Sequence, residues 1–334
     1  MKKRPVLYII YALLIVFLLA GCSKPKQAEA VAEVSQLSPE TSGLVAEDAD
    51  FDVPVEEDDG YQTLTINGEA IKWDGYKAVE PSDDWDIWSM KLSDAGDFFG
   101  QTFEVEKTTY KLMEGELTET EVLHVHSDSE GPCVYIVGAV HGDERAAWYA
   151  ALLLREATIS CGDLYILVPA NANGARNLTR YVTGRQDLNR SFPGDSSGNE
   201  AERLADAIFN DIADKKPSLV LDLHEAIVLT QDRDFLGSTY IFTDLTGMED
   251  LFFDLLAATG DGVICHNEFG FNGPGPEGSI NATVTRELRI PVITVETFRG
   301  FDIGRRVYDQ LDTIQFVLDY LGMRQGGRIW TVKY

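Results

Sequence analysis

Residues 133–148, CVYIVGAVHGDERAAW, decide the fold class of this chain. The first eight residues are a continuous apolar run, and the stretch from Glu144 to Glu156 is alanine-rich with helical periodicity. Such a run followed at once by a helix is typical of a strand buried in an α/β sheet. His141 ends the strand and Glu144 begins the helix, so both side chains can reach one point. A coordinated metal ion would explain this arrangement. A polar strand end followed by a charged first helical turn is the ordinary explanation of a lone H-x-x-E.

The same alternation of strand and helix continues along the chain. Further strands are predicted at 163–170, 218–224, 238–243, 262–265 and 291–296. Helices are predicted at 200–212, 248–258, 279–288 and 305–321. Near-continuous apolar strands separated by helices predict an α/β sheet covered by helices on both faces, within a domain that spans residues 129–334. Short alternating segments over residues 61–128 predict a small β-rich lead-in before that domain.

The N-terminal part has the features of an export signal. Three basic residues precede an apolar run at 6–20, and LAGC follows at 19–22. Residues 1–21 are therefore predicted to be a secretory signal. The cleavage site resembles the lipobox of bacterial lipoproteins, so we expect a lipidated Cys22 on the extracytoplasmic face of a bacterial cell membrane. A plain membrane anchor is the alternative, although roughly 15 apolar residues are short against the ~20 of a spanning helix.

Composition limits the partners of the mature protein. Residues 22–60 are acidic and poor in aromatic residues, which predicts a disordered tether. The net charge of −27 argues against binding to nucleic acid and against electrostatic attraction to anionic lipid. Membrane attachment would then depend on the acyl chains alone, and an anionic substrate would need a local cluster of arginines. Cys133 and Cys161 flank two strands that could be neighbours, and the sequence allows either a disulfide or two free thiols. It does not predict an oligomeric state.

Candidate catalytic residues lie at the carboxyl ends of the predicted strands, where open α/β sheets bind ligands. His224 ends the strand SLVLDLH as His141 ends its own strand. Together with Glu144 they form a set of two histidines and one carboxylate, which is found in catalytic zinc sites that keep a fourth position for water. An H-E-x-x-H zinc motif is excluded, because Val228 stands where the second histidine would be required.

The remaining histidines give weaker signals. His124 and His126 lie on a β-rich segment and are interpreted as surface residues. His266 follows Cys265 in a predicted loop that has no carboxylate at a useful spacing.

The predicted loop at 169–194 concentrates positive charge in an otherwise acidic protein. It contains Arg176, Arg180, Arg185, Asn189 and Arg190. A pocket for an anion would explain this density, because guanidinium groups bind carboxylates in a bidentate manner. A solvated polar loop is the ordinary alternative. Further along, the strand PVITVETF carries Glu296 near its end, and a carboxylate at the mouth of a buried strand is costly unless it is used or paired.

Five short motifs in a fixed order then resemble a known family. They are H-G-D-E at 141–144, T-R-Y at 179–181, D-L-N-R at 187–190, D-L-H at 222–224 and T-V-E at 294–296. In this order they resemble the succinylglutamate desuccinylase/aspartoacylase family, which belongs to the wider zinc carboxypeptidase-like group. The resemblance covers roughly residues 130–305. It implies a mixed central sheet with helices on both faces and a zinc-dependent hydrolase.

The resemblance also implies roles for individual residues. His141, Glu144 and His224 match the ligands of one Zn²⁺ per chain, and Glu296 matches the catalytic carboxylate, which acts as general base and then as general acid. Arg180 matches the arginine that polarises the scissile carbonyl. Two extra residues before D-L-N-R leave Arg176 as a possible substitute for it. Asn189 and Arg190 match the pair that binds a substrate carboxylate, and Arg286 resembles a further substrate contact.

These roles predict a deacylase that cleaves an amide bond next to a carboxylate-bearing group. Its substrate would be a small N-acyl amino acid or a peptide. Aspartoacylases carry a C-terminal β-domain that narrows their channel, whereas only residues 297–334 follow Glu296 here. We therefore expect a more open pocket that accepts a peptide or a cell-wall fragment. One alternative is a metallocarboxypeptidase or amidase acting on peptides or peptidoglycan stems. The other is a surface lipoprotein that binds a ligand without turnover.

Overall fold

The computed structural model describes most of the chain beyond residue 101 and two short segments before it. The described residues are 62–66, 69–73, 102–227, 237–265, 269–301 and 303–324. The predicted signal peptide, the tether, the lipidation site at Cys22 and the loop residue His266 lie outside them. Among the described residues, no helix is both long and apolar enough to span a membrane.

The centre of the fold is an eight-stranded sheet, and a separate antiparallel pair, β1 (Gln62–Ile66) and β2 (Glu69–Trp73), precedes it in the sequence. The strands of the large sheet are β3 (Glu106–Leu112), β4 (Thr120–His126), β5 (Cys133–Gly138), β6 (Asp163–Leu167), β7 (Leu219–Ala226), β8 (Thr239–Ile241), β9 (Gly270–Asn272) and β10 (Val292–Phe298). They are ordered β3-β4-β6-β5-β7-β10-β8-β9. Strands β6, β5, β7 and β10 run parallel, whereas β4 and β8 pair antiparallel with them. The predicted mixed α/β sheet is confirmed.

Helices cover both faces of this sheet. They are α1 (Arg145–Leu153), α2 (Ala172–Asn177), α3 (Glu200–Lys215), α4 (Glu249–Gly260), α5 (Ile280–Thr283) and α6 (Ile303–Tyr320). Apolar residues of α1, α4 and α6 pack in one buried cluster, and those of α3 and α5 pack in a second cluster. Helix α3 begins at a capping box formed by Asn199 and Glu202. A π-helical turn, Val284–Leu288, directly follows α5.

The predicted β-rich lead-in contributes directly to the main sheet. Strands β3 and β4 both lie within residues 61–128, and β4 pairs antiparallel with β6. They form one edge of the eight-stranded sheet, with β3 outermost. The proposed division of the chain at residue 128 remains a prediction.

One predicted strand, at residues 262–265, is wrong. These residues form a turn after α4, where the backbone N–H groups of Val263 and Ile264 both donate to the carbonyl oxygen of Ala258. Ile264 is buried although it is not extended, because its side chain enters the core from the turn. The apolar run at 262–265 therefore indicates burial and not a strand, and the next strand is β9. Cys133 and Cys161 are free thiols, which answers the question that the sequence left open.

The parallel strands bring the predicted site residues to one end of the sheet. Strands β5, β7 and β10 are neighbours with the same direction, so their carboxyl ends meet at one edge. The loop after β5 also packs tightly, because a Cβ atom on Gly142 would lie 2.0 Å from the carbonyl carbon of Gly174 in α2. Only glycine fits at this position, and the close approach fixes the turn that carries His141.

Candidate metal centre

Three of the predicted site residues converge at the carboxyl edge of the sheet. His141 Nδ1 lies 2.7 Å from Glu144 Oε1, and His224 Nδ1 lies 2.8 Å from Glu144 Oε2. The two Nδ1 atoms are 3.2 Å apart. All three side chains are buried, with at most 4% of each residue exposed. We call these three residues the buried centre.

Each histidine of the buried centre also faces a second carboxylate. Asp187 Oδ1 lies 3.4 Å from His141 Nε2, and Asp222 Oδ1 lies 3.1 Å from His224 Nε2. Asp222 in turn accepts a hydrogen bond from the hydroxyl of Thr294 on the neighbouring strand β10, at 3.1 Å. Carboxylates behind metal-binding histidines fix the ring orientation and raise the basicity of the coordinating nitrogen.

The electrostatics of the buried centre favour positive charge. Burial alone would raise the pKa of Glu144, but the neighbouring His141 and His224 outweigh it and hold this pKa well below its ordinary value. Burial would likewise lower the pKa of His224, but Asp222 and Glu144 outweigh it and hold this pKa well above its ordinary value. Asp222 and Glu144 therefore create a negative potential around the ring of His224.

The donor set fits a divalent ion of the zinc type. One donor atom from each of the three residues lies within 4.8 Å of the other two. Zinc binds imidazole nitrogen and carboxylate oxygen, and its catalytic sites use three protein ligands. The supporting carboxylates at the far side of both rings complete the pattern that such sites show. The three residues that the sequence motifs proposed as ligands are thus in a position to hold one ion together.

Glu296 lies beside the buried centre. In the parallel register of β7 and β10 it is the direct neighbour of His224, and only 9% of it is exposed. Burial raises the pKa of Glu296 to about 7; repulsion from Glu144 and Asp222 adds to this rise, whereas attraction by His224 and His141 opposes it. A carboxyl group that titrates near neutrality is suited to taking and returning a proton.

Arg180 also reaches the buried centre, and Arg176 does not. Arg180 donates from Nε and Nη2 to Asp187 Oδ2, and its Nη1 lies 3.3 Å from His141 Nδ1. Burial alone would raise the pKa of Asp187, but His141 and Arg180 hold it well below its usual range. Arg176 is exposed on α2 and lines a separate cleft with Lys111. The structure therefore resolves which of the two arginines stands at the site.

The three predicted substrate-binding residues occupy different surroundings. Asn189 is buried, and its side-chain oxygen accepts a hydrogen bond from the backbone N–H of Ile280 at the start of α5. Arg190 is exposed and donates to the carbonyl oxygen of Asn189 at 2.8 Å. Arg286 lies on the surface and forms an ion pair with Glu277. A role in substrate binding remains a prediction for all three residues.

Several supporting residues were not assigned a role from the sequence. Asp222 stands two residues before His224 on one strand, so alternation of side chains could have identified it. Glu225 is buried, accepts from the backbone N–H of Ala146 in α1 and pairs with Arg306 of α6. Gln310, also on α6, donates from its side-chain amide to the carbonyl oxygen of His224 at 2.7 Å. Neither α6 residue gave a signal in the sequence, because only tertiary packing brings that helix to the site.

Arg299 was also missed. It follows β10, is 8% exposed, and donates to Asp143 Oδ2 at 3.0 Å. Its Nη2 lies 3.5 Å from Glu144 Oε1. This arginine therefore ties the loop that contains Glu144 to the end of the neighbouring strands.

Comparison with solved structures supports the fold. An aspartoacylase family protein from Mesorhizobium loti is 23% identical, with 73% of this chain and 71% of that chain covered at a TM-score of 0.51. The product-bound ectoine utilization protein EutE (DoeB) from Ruegeria pomeroyi is 20% identical, with 68% and 73% covered at a TM-score of 0.53. The tripeptide-bound cell shape determinant Csd4 from Helicobacter pylori is 16% identical, with 67% and 57% covered at a TM-score of 0.51. At these identities the likeness shows the fold alone.

The family is shown by a match along the sequence. No curated protein matches this sequence significantly. The family described as the succinylglutamate desuccinylase/aspartoacylase catalytic domain matches residues 130–317. This range includes the buried centre, Arg180 and Glu296, and it spans more than half of the chain. The chain belongs to the succinylglutamate desuccinylase/aspartoacylase family of hydrolases.

Proposed function

We propose that this protein is a zinc-dependent amidohydrolase that cleaves an amide bond next to a carboxylate-bearing group. The observation that carries the proposal is the convergence of the buried centre with Glu296 and Arg180 at one edge of the sheet. Burial raises the pKa of Glu296, beside this centre, to about 7. A protein that only binds a ligand has no need for such a carboxyl group.

The roles of the residues follow from their positions. A divalent ion held by the buried centre would supply an activated water and polarise the carbonyl that is attacked. Glu296 takes the proton from the attacking water and returns it to the leaving nitrogen. Arg180, held in place by Asp187, donates to the oxygen on which negative charge develops. Asp187 and Asp222 keep the two imidazole rings in their orientation.

The substrate class is inferred from two arginines near the buried centre. Arg180 and Arg190 lie on the same predicted arginine-rich loop, and the charges of both interact with Asp187. In a protein with a net charge of −27, this local pair would attract a substrate carboxylate. N-acyl amino acids and peptides both present a carboxylate near an amide bond. A tripeptide is bound in the Csd4 structure and a product in the EutE structure, so proteins of this fold can bind a peptide or another small product.

The location of the enzyme is part of the proposal. The lipobox-like LAGC at 19–22 supports tethering by a lipidated Cys22 at the extracytoplasmic face of a bacterial cell membrane. A peptide or a peptidoglycan stem would be available there, which favours a metallocarboxypeptidase or amidase as the second candidate. Labelling cells with a clickable fatty acid tests the tether, because a Cys22→Ala variant should lose the label and leave the membrane fraction.

A substrate series tests the reaction. The purified protein is stripped with a chelator, reloaded with Zn²⁺, and assayed for amine release against N-acetyl and N-succinyl amino acids and against peptides of two to five residues. We expect hydrolysis in the loaded protein and none in the stripped protein. A maximal kcat/KM on single N-acyl amino acids supports the deacylase, whereas a maximum on longer peptides supports the peptidase. Ligand binding without turnover over the whole series would contradict both candidates and favour a binding lipoprotein.

A further inference from the structure

A second group of two histidines and one carboxylate lies at the other end of the sheet. His124 Nε2 lies 2.7 Å from Asp163 Oδ1, and His126 Nδ1 lies 2.8 Å from the same oxygen. One donor atom from each residue lies within 4.8 Å of the other two. We call these residues the surface cluster, and none of the catalytic roles proposed above uses it.

Strand geometry explains why these three side chains meet. His124 and His126 are two residues apart on β4, so they project from the same face of the sheet. Asp163 is the first residue of β6 and is directly opposite His126 in the antiparallel register. Two histidines at this spacing and a carboxylate on the next strand form a chelating set that requires no loop to fold over it.

The surface cluster is separate from the buried centre. Asp163 pairs with Cys133 at the start of β5, whereas His141 follows the end of that strand. The five steps from Cys133 to Gly138 alone span about 16 Å at ~3.3 Å per residue. A single ion cannot serve both groups, and no residue is shared between them.

The surface cluster is partly ordered before any ion binds. The ring of His124 stacks on that of Tyr165 with centroids 4.2 Å apart and planes 6° apart. This contact fixes the plane in which Nε2 presents its lone pair. The side chains of His124, Asp163 and His126 are 24%, 33% and 42% exposed, so an ion from solution can reach all three.

The surrounding charge also favours a cation. Glu106 on β3 is directly opposite His126 in the register of β3 and β4. Asp128 follows two residues after His126. With Asp163 itself, these groups place three carboxylates close to two imidazoles.

We propose that the surface cluster binds a second divalent transition-metal ion, of which Zn²⁺ is the natural probe, through His124, His126 and Asp163. Imidazole nitrogen and carboxylate oxygen are both established zinc ligands, and three protein donors leave a position for solvent. The ion would link β4 to β6 at the edge of the sheet. The chain would then hold two ions rather than the single one that the family resemblance implies.

Zinc titration of the chelator-stripped protein tests the proposal. Isothermal titration calorimetry and elemental analysis should find two equivalents of bound Zn²⁺ in the wild-type protein. His141→Ala should remove one equivalent and leave the surface cluster loaded. Asp163→Asn should remove the other, with an affinity loss of about 100-fold or more at that cluster, since even residues behind a metal ligand contribute 10- to 100-fold. Glu106→Gln is the matched control, because it removes a nearby charge without removing a ligand.

The outcomes separate the two sites. A single equivalent that persists in Asp163→Asn and is lost in His141→Ala would overturn the second site and leave the buried centre intact. A single equivalent that persists in His141→Ala and is lost in Asp163→Asn would support the second site and contradict the proposed function.

A measurement on the wild-type protein alone guards against variants that fold poorly. Zn²⁺ should protect His124 and His126 from modification by diethylpyrocarbonate, as read by peptide mass spectrometry. Equal modification with and without Zn²⁺ at saturation would also overturn the second site.

Discussion

The buried centre and the surface cluster contain the same side-chain types and differ in what surrounds them. The residues of the buried centre are at most 4% exposed, whereas the side chains of the surface cluster are between 24% and 42% exposed. Each histidine of the buried centre has a further carboxylate behind it, Asp187 or Asp222. In the surface cluster, one oxygen of Asp163 serves both rings.

This difference separates two chemical capacities. An ion held by the buried centre would have supporting carboxylates, Glu296 and Arg180 beside it, which would equip it to act on a substrate. The carboxylates close to the surface cluster, Glu106 and Asp128, are exposed, so an ion there would link the strands or exchange with solution. The set of ligands is thus insufficient to define a catalytic site, and the residues next to it are decisive.

The largest effect is expected from replacing Glu296, the proposed general base beside the buried centre. Glu296→Gln keeps the size of the side chain but cannot accept a proton, so kcat should fall by about 10²- to 10⁴-fold. The zinc content and the far-UV circular dichroism spectrum should not change. Glu106→Gln serves as the exposed control and should retain full activity. Wild-type turnover in Glu296→Gln would contradict the role of Glu296 as general base. The buried centre would then no longer differ from the surface cluster in this respect.

The next effect concerns the arginine at the buried centre. Arg180→Met should reduce kcat by about 10²- to 10³-fold, which is typical for loss of one donor to a developing oxyanion. Arg176→Met, four residues earlier on the exposed surface of α2, should have wild-type kinetics. Steady-state assays on the same substrate compare them. A loss confined to Arg176→Met would show that the wrong arginine had been assigned.

A smaller effect is expected from replacing a carboxylate that faces the histidines of the buried centre. Asp222→Asn should weaken zinc binding to the buried centre by about 10- to 100-fold, because the ring of His224 loses its negatively charged partner. Competition with a fluorescent chelator measures this affinity. Asp211→Asn is the matched control, since this buried residue accepts hydrogen bonds from Tyr110 and Tyr135 away from the site. Equal zinc affinity in both variants would contradict the supporting role of Asp222.

The smallest effect is expected from a substitution in the surface cluster when no metal is bound. In the presence of a chelator, Asp163→Asn should lower the free energy of unfolding by less than about 1 kcal/mol, because the ion pairs are substantially exposed. Urea denaturation of both proteins provides the comparison. A loss of several kcal/mol would mean that the three residues already stabilise the fold strongly by themselves, which would weaken the case for a cation at this position.

Much of the site could be read from the chain because its motifs coincide with strand ends. His141, His224 and Glu296 each lie at or just beyond the carboxyl end of an apolar run, and parallel strands bring such ends together. The choice between Arg180 and Arg176 could not be made in this way. Both lie in the stretch that the sequence predicts as one loop, and only the folded structure, with Arg176 on α2 and Arg180 beyond it, directs one guanidinium towards His141.

The sequence by itself determined the α/β class and the family, because periodicity and ordered motifs are local properties of the chain, and it predicted the three residues of the buried centre. Only the tertiary structure decided that Arg306 and Gln310 of the last helix support the site, and that His124 and His126 meet Asp163. These contacts join residues far apart in sequence through strand register and helix packing. Register is set by the whole sheet, so no short stretch of sequence can specify it.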